Sequence, residues 1–100
     1  MDINSLNKSI EQRKAHIFRP VEGHFAHDTS TNRQLLIDTV LNPDNYIGRD
    51  KWGNDWYAKT GYNYTQIWVQ IRKGKIINGG LNLTPRPWNS STGFSRITPP

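Results

Sequence analysis

The chain of 100 residues contains no cysteine, which excludes disulfides, thiolate zinc sites and a cysteine nucleophile. It has no apolar run longer than three residues, so no segment predicts a membrane span. Its opening residues have neither the basic nor the apolar part of a signal peptide, so any export address would belong to a longer parent chain. The length predicts one small domain covering residues 1–100.

Acidic residues are missing from the second half of the chain. From Trp56 onward there are six Lys or Arg and no Asp or Glu, whereas the first 55 residues hold seven Lys or Arg and all eight carboxylates. The basic segment also carries six Trp and Tyr residues, namely Trp56, Tyr57, Tyr62, Tyr64, Trp68 and Trp88. Cations neutralise phosphates and aromatic rings stack unpaired bases, so this composition indicates an RNA partner. An acidic protein is the alternative partner.

The apolar pattern predicts two helices followed by strands. A short helix over residues 5–15 ends before Arg19-Pro20, because the residue before proline avoids helical angles. A second helix begins in a capping box formed by Thr31 and Gln34 and stops at Asn42-Pro43.

Residues 44–55 have the composition of turns, and strands follow them. The predicted strands run from Trp56 to Thr60, Thr65 to Arg72 and Lys75 to Leu81, and a last edge strand is expected near 94–97. Lys73-Gly74 predicts a tight hairpin between the second and third of these. The fold class is therefore α+β, with N-terminal helices packed on a small antiparallel sheet.

Three histidines, His16, His24 and His27, lie within twelve positions. A histidine pair can divide the base and acid roles that RNA cleavage by transesterification requires, and His16 and His24 are the candidates. The alternative is that histidines in a polar loop are exposed and take no part in chemistry. A zinc site has little support, since no His-Glu-x-x-His motif exists.

Cations on the predicted strands are candidates for phosphate contacts. Lys59, Arg72 and Arg86 lie on strands or just after one, although a solvated strand face explains each of them equally well. Arg33 is a weaker candidate, because an ion pair with Asp28 at the helix start also accounts for it.

Trp68 lies between two glutamines on the polar side of an alternating strand. Either an RNA base stacks on its ring or a helix packs there. Asn82 and Thr84 follow the last predicted strand and offer amide and hydroxyl donors for a reacting phosphate.

The segment Gln12-Arg13-Lys14-Ala15-His16-Ile17 is similar to the Lys-Gln-x-x-His-Ile stretch of many C-terminal toxin domains. Gly79-Gly80-Leu81-Asn82 also looks like the toxin domains that end large bacterial proteins of contact-dependent inhibition and related polymorphic systems. The layout of helices and a basic sheet resembles the barnase, EndoU, colicin and RelE-type ribonuclease fold.

This resemblance implies a metal-independent ribonuclease without a cofactor, often acting on tRNA and neutralised by a cognate immunity protein. It implies delivery as part of a larger toxin and action in the cytoplasm of a target cell. His16 matches the toxin stretch, Gly23-His24-Phe25 resembles a Gly-His element of EndoU-like sites, and Lys59 would be the matching lysine. Barnase uses a glutamate base, but no glutamate here follows Glu22, which favours histidine chemistry.

The expected function is thus RNA cleavage by the substrate's own 2′-hydroxyl. His16, His24, Lys59 and Thr84 are the predicted catalytic residues, and the predicted RNA contacts are Arg33, Trp68, Arg72, Asn82 and Arg86. No metal is expected, because two-metal phosphodiesterases need several carboxylates and none follows Asp55. The alternative function is a basic domain that binds RNA or a protein without catalysis.

Overall fold

The structure is a computed structural model that describes residues 1–61 and 63–94. Its helices are α1 (Ile3–Ile17) and α2 (Ser30–Leu41), followed by a 3-10 turn at Pro43–Asn45. Four strands follow: β1 (Tyr46–Arg49), β2 (Asp55–Thr60), β3 (Gln66–Arg72) and β4 (Lys75–Asn82). They form one antiparallel sheet in the order β1-β2-β3-β4, which confirms the α+β prediction. Among the described residues, no helix is both long and apolar enough to cross a membrane.

Polar side chains cap the start of both helices. Asp2 accepts a hydrogen bond from the Ser5 backbone N–H at 3.3 Å, and the Thr29 hydroxyl accepts one from Asn32 N–H at 3.0 Å. The predicted capping box at Thr31 is therefore wrong. The helix starts earlier, and Gln34 instead donates to the Asp38 carboxylate one turn further on, at 2.7 Å.

The sheet confirms the three predicted strands and adds one. Strand β1 lies in the segment predicted as turns, and three of its four residues are exposed, so it has no apolar alternation to reveal it. Pairing with β2 holds it at the sheet edge, with an irregular register between Tyr46 and Gly48. Of the last predicted strand, Phe94 lies in a turn and residues 95–97 fall outside the described residues.

One face of the sheet packs against both helices and contains the aliphatic core. Successive strand residues point to opposite faces, so alternate positions of β3 reach this core. Its members share near-complete burial: Leu6, Ile10, Ile17, Phe25, Leu36, Ile37, Val40, Ile67, Val69, Ile71 and Ile76. Each fully buried aliphatic side chain contributes about 1.5–3 kcal/mol, so this layer is the main source of stability.

The opposite face carries an aromatic cluster that we call the tryptophan layer, made of Trp56, Trp68, Trp88 and Phe94. The Trp56 ring centroid lies 5.5 Å from that of Trp68 and 5.7 Å from that of Phe94. The segment after β4 therefore folds back over the sheet, and both faces of the central strands are covered.

Part of the loop between the helices, at Gly23 and His24, also lies on this second face. The Gly23 carbonyl accepts hydrogen bonds from Leu81 N–H at 3.0 Å and from the Trp68 indole at 2.9 Å. A Cβ on Gly80 would lie 2.0 Å from that carbonyl oxygen, so only glycine permits this close approach. The contact places His24 over the sheet.

Candidate active site

His24 is held in one protonation state by its neighbours. Its Nδ1 lies 2.8 Å from the Ile17 carbonyl oxygen, and its Nε2 lies 3.1 Å from Nη2 of Arg19. A guanidinium can only donate, so Nε2 must carry the lone pair and Nδ1–H donates to Ile17. His24 is therefore a neutral imidazole with its acceptor nitrogen next to a cation.

The surroundings of His24 also lower its pKa. Burial of the half-buried ring is the main cause, and the charges of Arg19 and His16 add to it. Hydrogen bonds to the backbone of Ile17 and Gly79 act in the opposite direction without outweighing these effects. His24 thus stays neutral, and able to accept a proton, to a lower pH than a histidine with an ordinary pKa.

The charge of His16 is one of the influences that lower the pKa of His24. His16 occupies the last turn of α1, and its side chain is exposed. The two predicted histidines therefore have different environments, one half-buried and neutral and the other open to solvent. That difference in environment suits a division between base and acid.

Asn82 belongs to a buried network at the end of β4. It is 2% exposed and donates from Nδ2 to the Gln66 Oε1 at 2.8 Å. The same oxygen accepts from Arg86 N–H at 3.0 Å, and Gln66 Nε2 donates to the Arg86 carbonyl at 3.2 Å. Asn82 therefore fixes the path of the chain after β4 and has little surface for RNA.

Arg86 and Thr84 lie on the segment that this network anchors. The Arg86 guanidinium pairs with the carboxylate of Glu22, which belongs to the same loop as His24. Its Nη1 lies 3.4 Å from the Phe94 carbonyl oxygen. Thr84 is exposed two residues beyond Asn82. Arg86 is thus linked to the histidine loop through an ion pair.

Two predicted site residues lie on the helix side of the molecule. Lys59 pairs in register with Ile67, a residue of the aliphatic core, so it points to the face opposite Trp68. Arg33 on α2 lies 2.6 Å from Asp28 and 3.6 Å from Glu11, so carboxylates already surround it. The structure does not bring either cation to the histidine pair.

Arg72 lies at the opposite end of β3 from Gln66, about 20 Å away at 3.3 Å per strand residue. Its Nε donates to Asn54 Oδ1 at 2.8 Å, and its Nη2 donates to the Trp52 carbonyl at 3.1 Å. It therefore stays exposed but is tied to the loop between β1 and β2, away from the histidines.

Trp68 is 7% exposed and lies within the tryptophan layer. Its ring packs edge-on against His24, with centroids 5.5 Å apart. The structure gives Trp68 a packing role that base stacking would have to displace, and the covering element is the loop and C-terminal segment instead of a helix.

Arg19 is the main residue of this site that sequence reasoning missed. Its Nε is buried and finds no hydrogen-bond partner among the described residues. In the sequence it is visible only as the residue before a proline, a signal that concerns the backbone. Its position beside His24 follows from the fold of the loop, which no local pattern reveals.

Comparisons with known proteins do not identify the chain. No family model, curated protein or solved structure matches it. Within residues 1–61 and 63–94, no group of three or more His, Asp or Glu residues is placed to hold a metal ion. The resemblance to ribonuclease toxins therefore rests on the short stretches quoted above.

Proposed function

We propose that the protein is a metal-independent ribonuclease that cleaves RNA, with tRNA as the expected substrate, by transesterification. The observation that carries this proposal is the neutral His24, with a fixed tautomer and a lowered pKa, in contact with the Arg19 guanidinium and under the influence of the exposed His16. A base, an acid and a cation are the groups that this reaction needs.

In the proposed reaction, His24 Nε2 accepts the proton of the ribose 2′-hydroxyl. The 2′-oxygen attacks the adjacent phosphorus, and the bond from phosphorus to the 5′-oxygen breaks. His16 donates a proton to that leaving oxygen, and the products are a 2′,3′-cyclic phosphate and a free 5′-hydroxyl. A phosphate oxygen replaces His24 as the partner of Arg19, so the guanidinium both frees Nε2 and stabilises the charge on the phosphorane.

The other predicted site residues have positioning or RNA-binding roles in this proposal. Thr84 and Arg86 lie on the segment next to the histidine loop and are proposed to contact the phosphate chain. Asn82 and Trp68 position that segment and His24 through the contacts described above. Lys59 and Arg33 would meet RNA only along the helix side, as contacts outside the catalytic centre.

We also propose that the domain acts within a larger delivered toxin, in the cytoplasm of a target cell, and that an acidic immunity protein neutralises it. The formal net charge of +5, with no carboxylate after Asp55, supports an anionic partner because opposite charges accelerate association. Association with such a protein should weaken as salt is raised.

A non-catalytic RNA-binding or protein-interaction domain is the second candidate. The observation that favours it is that both ring nitrogens of His24 already have partners within the protein. A histidine in that position can serve the fold alone, by joining the end of α1 to the loop.

The deciding experiment incubates the protein with total tRNA in excess EDTA and maps the ends of the products on a denaturing gel. We expect discrete cuts that carry a 2′,3′-cyclic phosphate and that disappear when a single 2′-deoxy sugar stands at the cut site. A requirement for Mg²⁺, or cleavage of the deoxy substrate, would contradict the proposal.

His16→Ala and His24→Asn should each reduce cleavage by about 10²–10⁴-fold, because each removes a positioned acid or base. Asparagine keeps an amide donor for the Ile17 carbonyl, so the second variant separates catalysis from folding. His27→Ala is the matched control, since His27 is exposed and, within residues 1–61 and 63–94, forms a hydrogen bond only through its backbone carbonyl. Equal activity of all three variants would favour a different site.

A further inference from the structure

A second concave site lies on the same sheet face, at the end away from the histidines. It is a pocket of about 250 Å³, which we call the Trp52 pocket. Its lining combines two indoles with polar side chains: Asp50, Trp52, Trp56, Gln70, Ser90, Ser91, Thr92 and Gly93. The proposed cleavage reaction does not involve this pocket.

Asp50 builds the first wall of the pocket. Its Oδ1 accepts from Trp52 N–H at 2.8 Å and from Asn54 N–H at 2.9 Å. Its Oδ2 accepts from the Trp56 indole at 2.8 Å and from Asn54 Nδ2 at 3.1 Å. Burial would raise the pKa of this carboxyl, but the four hydrogen bonds outweigh it and lower the pKa. A buried charge thus holds the loop that presents Trp52.

The turn between Asn89 and Gly93 forms the opposite wall. Its two end residues bond to each other through the backbone, at 3.0 Å and 2.7 Å, and the Ser90 carbonyl accepts from Lys51 N–H at 3.0 Å. Gly93 has a φ of +64°, and a Cβ there would lie 2.6 Å from the Trp56 ring. Both walls are therefore fixed by hydrogen bonds within the protein before any ligand arrives.

The groups in this pocket that remain free to contact a ligand suit a planar polar ring. Trp52 is 64% exposed, with Lys51 Nζ 4.8 Å from its ring centroid. The half-buried Gln70 side-chain amide has no hydrogen-bond partner within the described part of the chain, and it can both donate and accept. Three hydroxyl-bearing residues stand opposite, and the exposed Arg72 is bonded to the Trp52 carbonyl.

We propose that the Trp52 pocket binds one unpaired nucleobase of a single-stranded nucleic acid. The base would stack on Trp52, Gln70 would hydrogen-bond its edge, and Lys51 and Arg72 would neutralise the flanking phosphates. The volume admits a single base but not a drug-sized ligand, for which about 300–1,000 Å³ is usual.

The position of the pocket connects it with the proposed ribonuclease function. That the bound strand is RNA rests on this proposed function. Gln70 is two residues from Trp68 on the same face of β3, a separation of about 7 Å. Trp68 in turn packs against His24. One RNA strand crossing the tryptophan layer can therefore reach both sites, so the pocket would read a base near the cleaved bond.

The test measures the binding of labelled 2′-O-methyl homopolymers of adenine, cytosine and uracil by fluorescence anisotropy, since these strands lack the attacking hydroxyl. Trp52→Ala should weaken binding about 5- to 150-fold, which corresponds to the loss of one stacked base. Gln70→Ala should keep most of the binding but reduce the differences among the three bases.

Tyr64→Ala is the matched control for an exposed aromatic ring, because Tyr64 is 79% exposed and lies in the loop before β3. Lys8→Ala on α1 controls for the loss of one surface charge. Neither should reproduce the effect of Trp52→Ala, and unchanged unfolding midpoints would show that the fold is kept.

The outcomes separate the pocket from the reaction. Loss of binding in Trp52→Ala without any tRNA cleavage by the native protein would support the pocket and contradict the ribonuclease. Cleavage by the native protein with equal binding by Trp52→Ala, Gln70→Ala and the controls would overturn the pocket and leave the ribonuclease standing. Absence of binding to all three strands would also overturn the pocket.

Discussion

The two faces of the sheet are covered by different kinds of side chain. The face toward α1 and α2 is packed with aliphatic side chains, most of them fully buried. The other face is covered by indole rings, a loop and an irregular segment, which are joined by hydrogen bonds that Trp68 and Gln66 donate and that Asp50 accepts. The first face stabilises the fold by burying apolar surface, whereas the second face fixes the positions of particular side chains through directional contacts.

This difference separates stability from function. Aliphatic contacts are non-directional, so moderate changes in that layer alter the free energy of unfolding without moving distant side chains. Hydrogen bonds and ring contacts are directional, so a change on the second face displaces His24 or Trp52. Both candidate sites lie on that second face, and the following substitutions test whether the separation holds.

The largest effect is expected for Gly80→Ala. A methyl group 2.0 Å from the Gly23 carbonyl oxygen forces the histidine loop away from β4 and breaks the hydrogen bonds to Leu81 and Trp68. Overpacking and two lost bonds together should lower the free energy of unfolding by about 4 kcal/mol. Denaturant unfolding measures the loss, and tRNA cleavage should fall as well. Gly61→Ala, whose Cβ would make ordinary 3.5 Å contacts, should be nearly neutral.

Leu36→Ala probes the aliphatic face. The side chain is fully buried, and its removal should lower the free energy of unfolding by about 3 kcal/mol. Cleavage per folded molecule should stay within about twofold of the native value, because Leu36 lies on the face of the sheet opposite the contact between Trp68 and His24. Chemical denaturation and cleavage at low temperature check the two statements. A large fall in cleavage by fully folded Leu36→Ala would break the proposed separation of the faces.

Asp50→Asn probes the loop that presents Trp52. An amide cannot accept all four of the hydrogen bonds that the carboxylate receives, and its NH₂ group would face other donors. We expect a loss of about 2 kcal/mol in the free energy of unfolding. Binding of the 2′-O-methyl strands should weaken, while Asp44→Asn, at an exposed position, should change neither quantity.

The smallest effect concerns pH and His24. Since its pKa is lowered below the ordinary 6.5, the unfolded chain binds this proton more readily, and stability must rise with pH in that window. The contribution is complete above about pH 6.5 and is lost as the pH falls through the lowered pKa. Thermal unfolding midpoints of the native protein and His24→Asn should converge on mild acidification. Parallel pH profiles would show that His24 is not held neutral.

The helices and most strands could be predicted from the sequence, because the apolar residues of each element recur with the period of a helix or a strand. Leu6 and Ile10, Leu36, Ile37 and Val40, and the alternation of Ile67, Val69 and Ile71 all point to one buried layer. It missed β1 because an exposed edge strand has no such period, and it misplaced the cap of α2 by choosing Thr31 over Thr29. Threonine is a preferred N-cap residue at either position, and only the observed backbone selects Thr29.

For the candidate sites, the sequence alone made His16 and His24 candidates for acid and base, because histidines occur close together along this part of the chain. It also identified a basic, aromatic second half without carboxylates. Only the tertiary structure decided which residues share a surface. Arg19 lies beside His24, whereas Lys59 and Arg33 lie on the helix side of the sheet, and Trp68 is buried. The physical reason is that the chemistry of a side chain is a property of its own residue, whereas the distance between two side chains depends on the whole fold. Here it depends on loops held by close contacts such as that of Gly23 with Gly80.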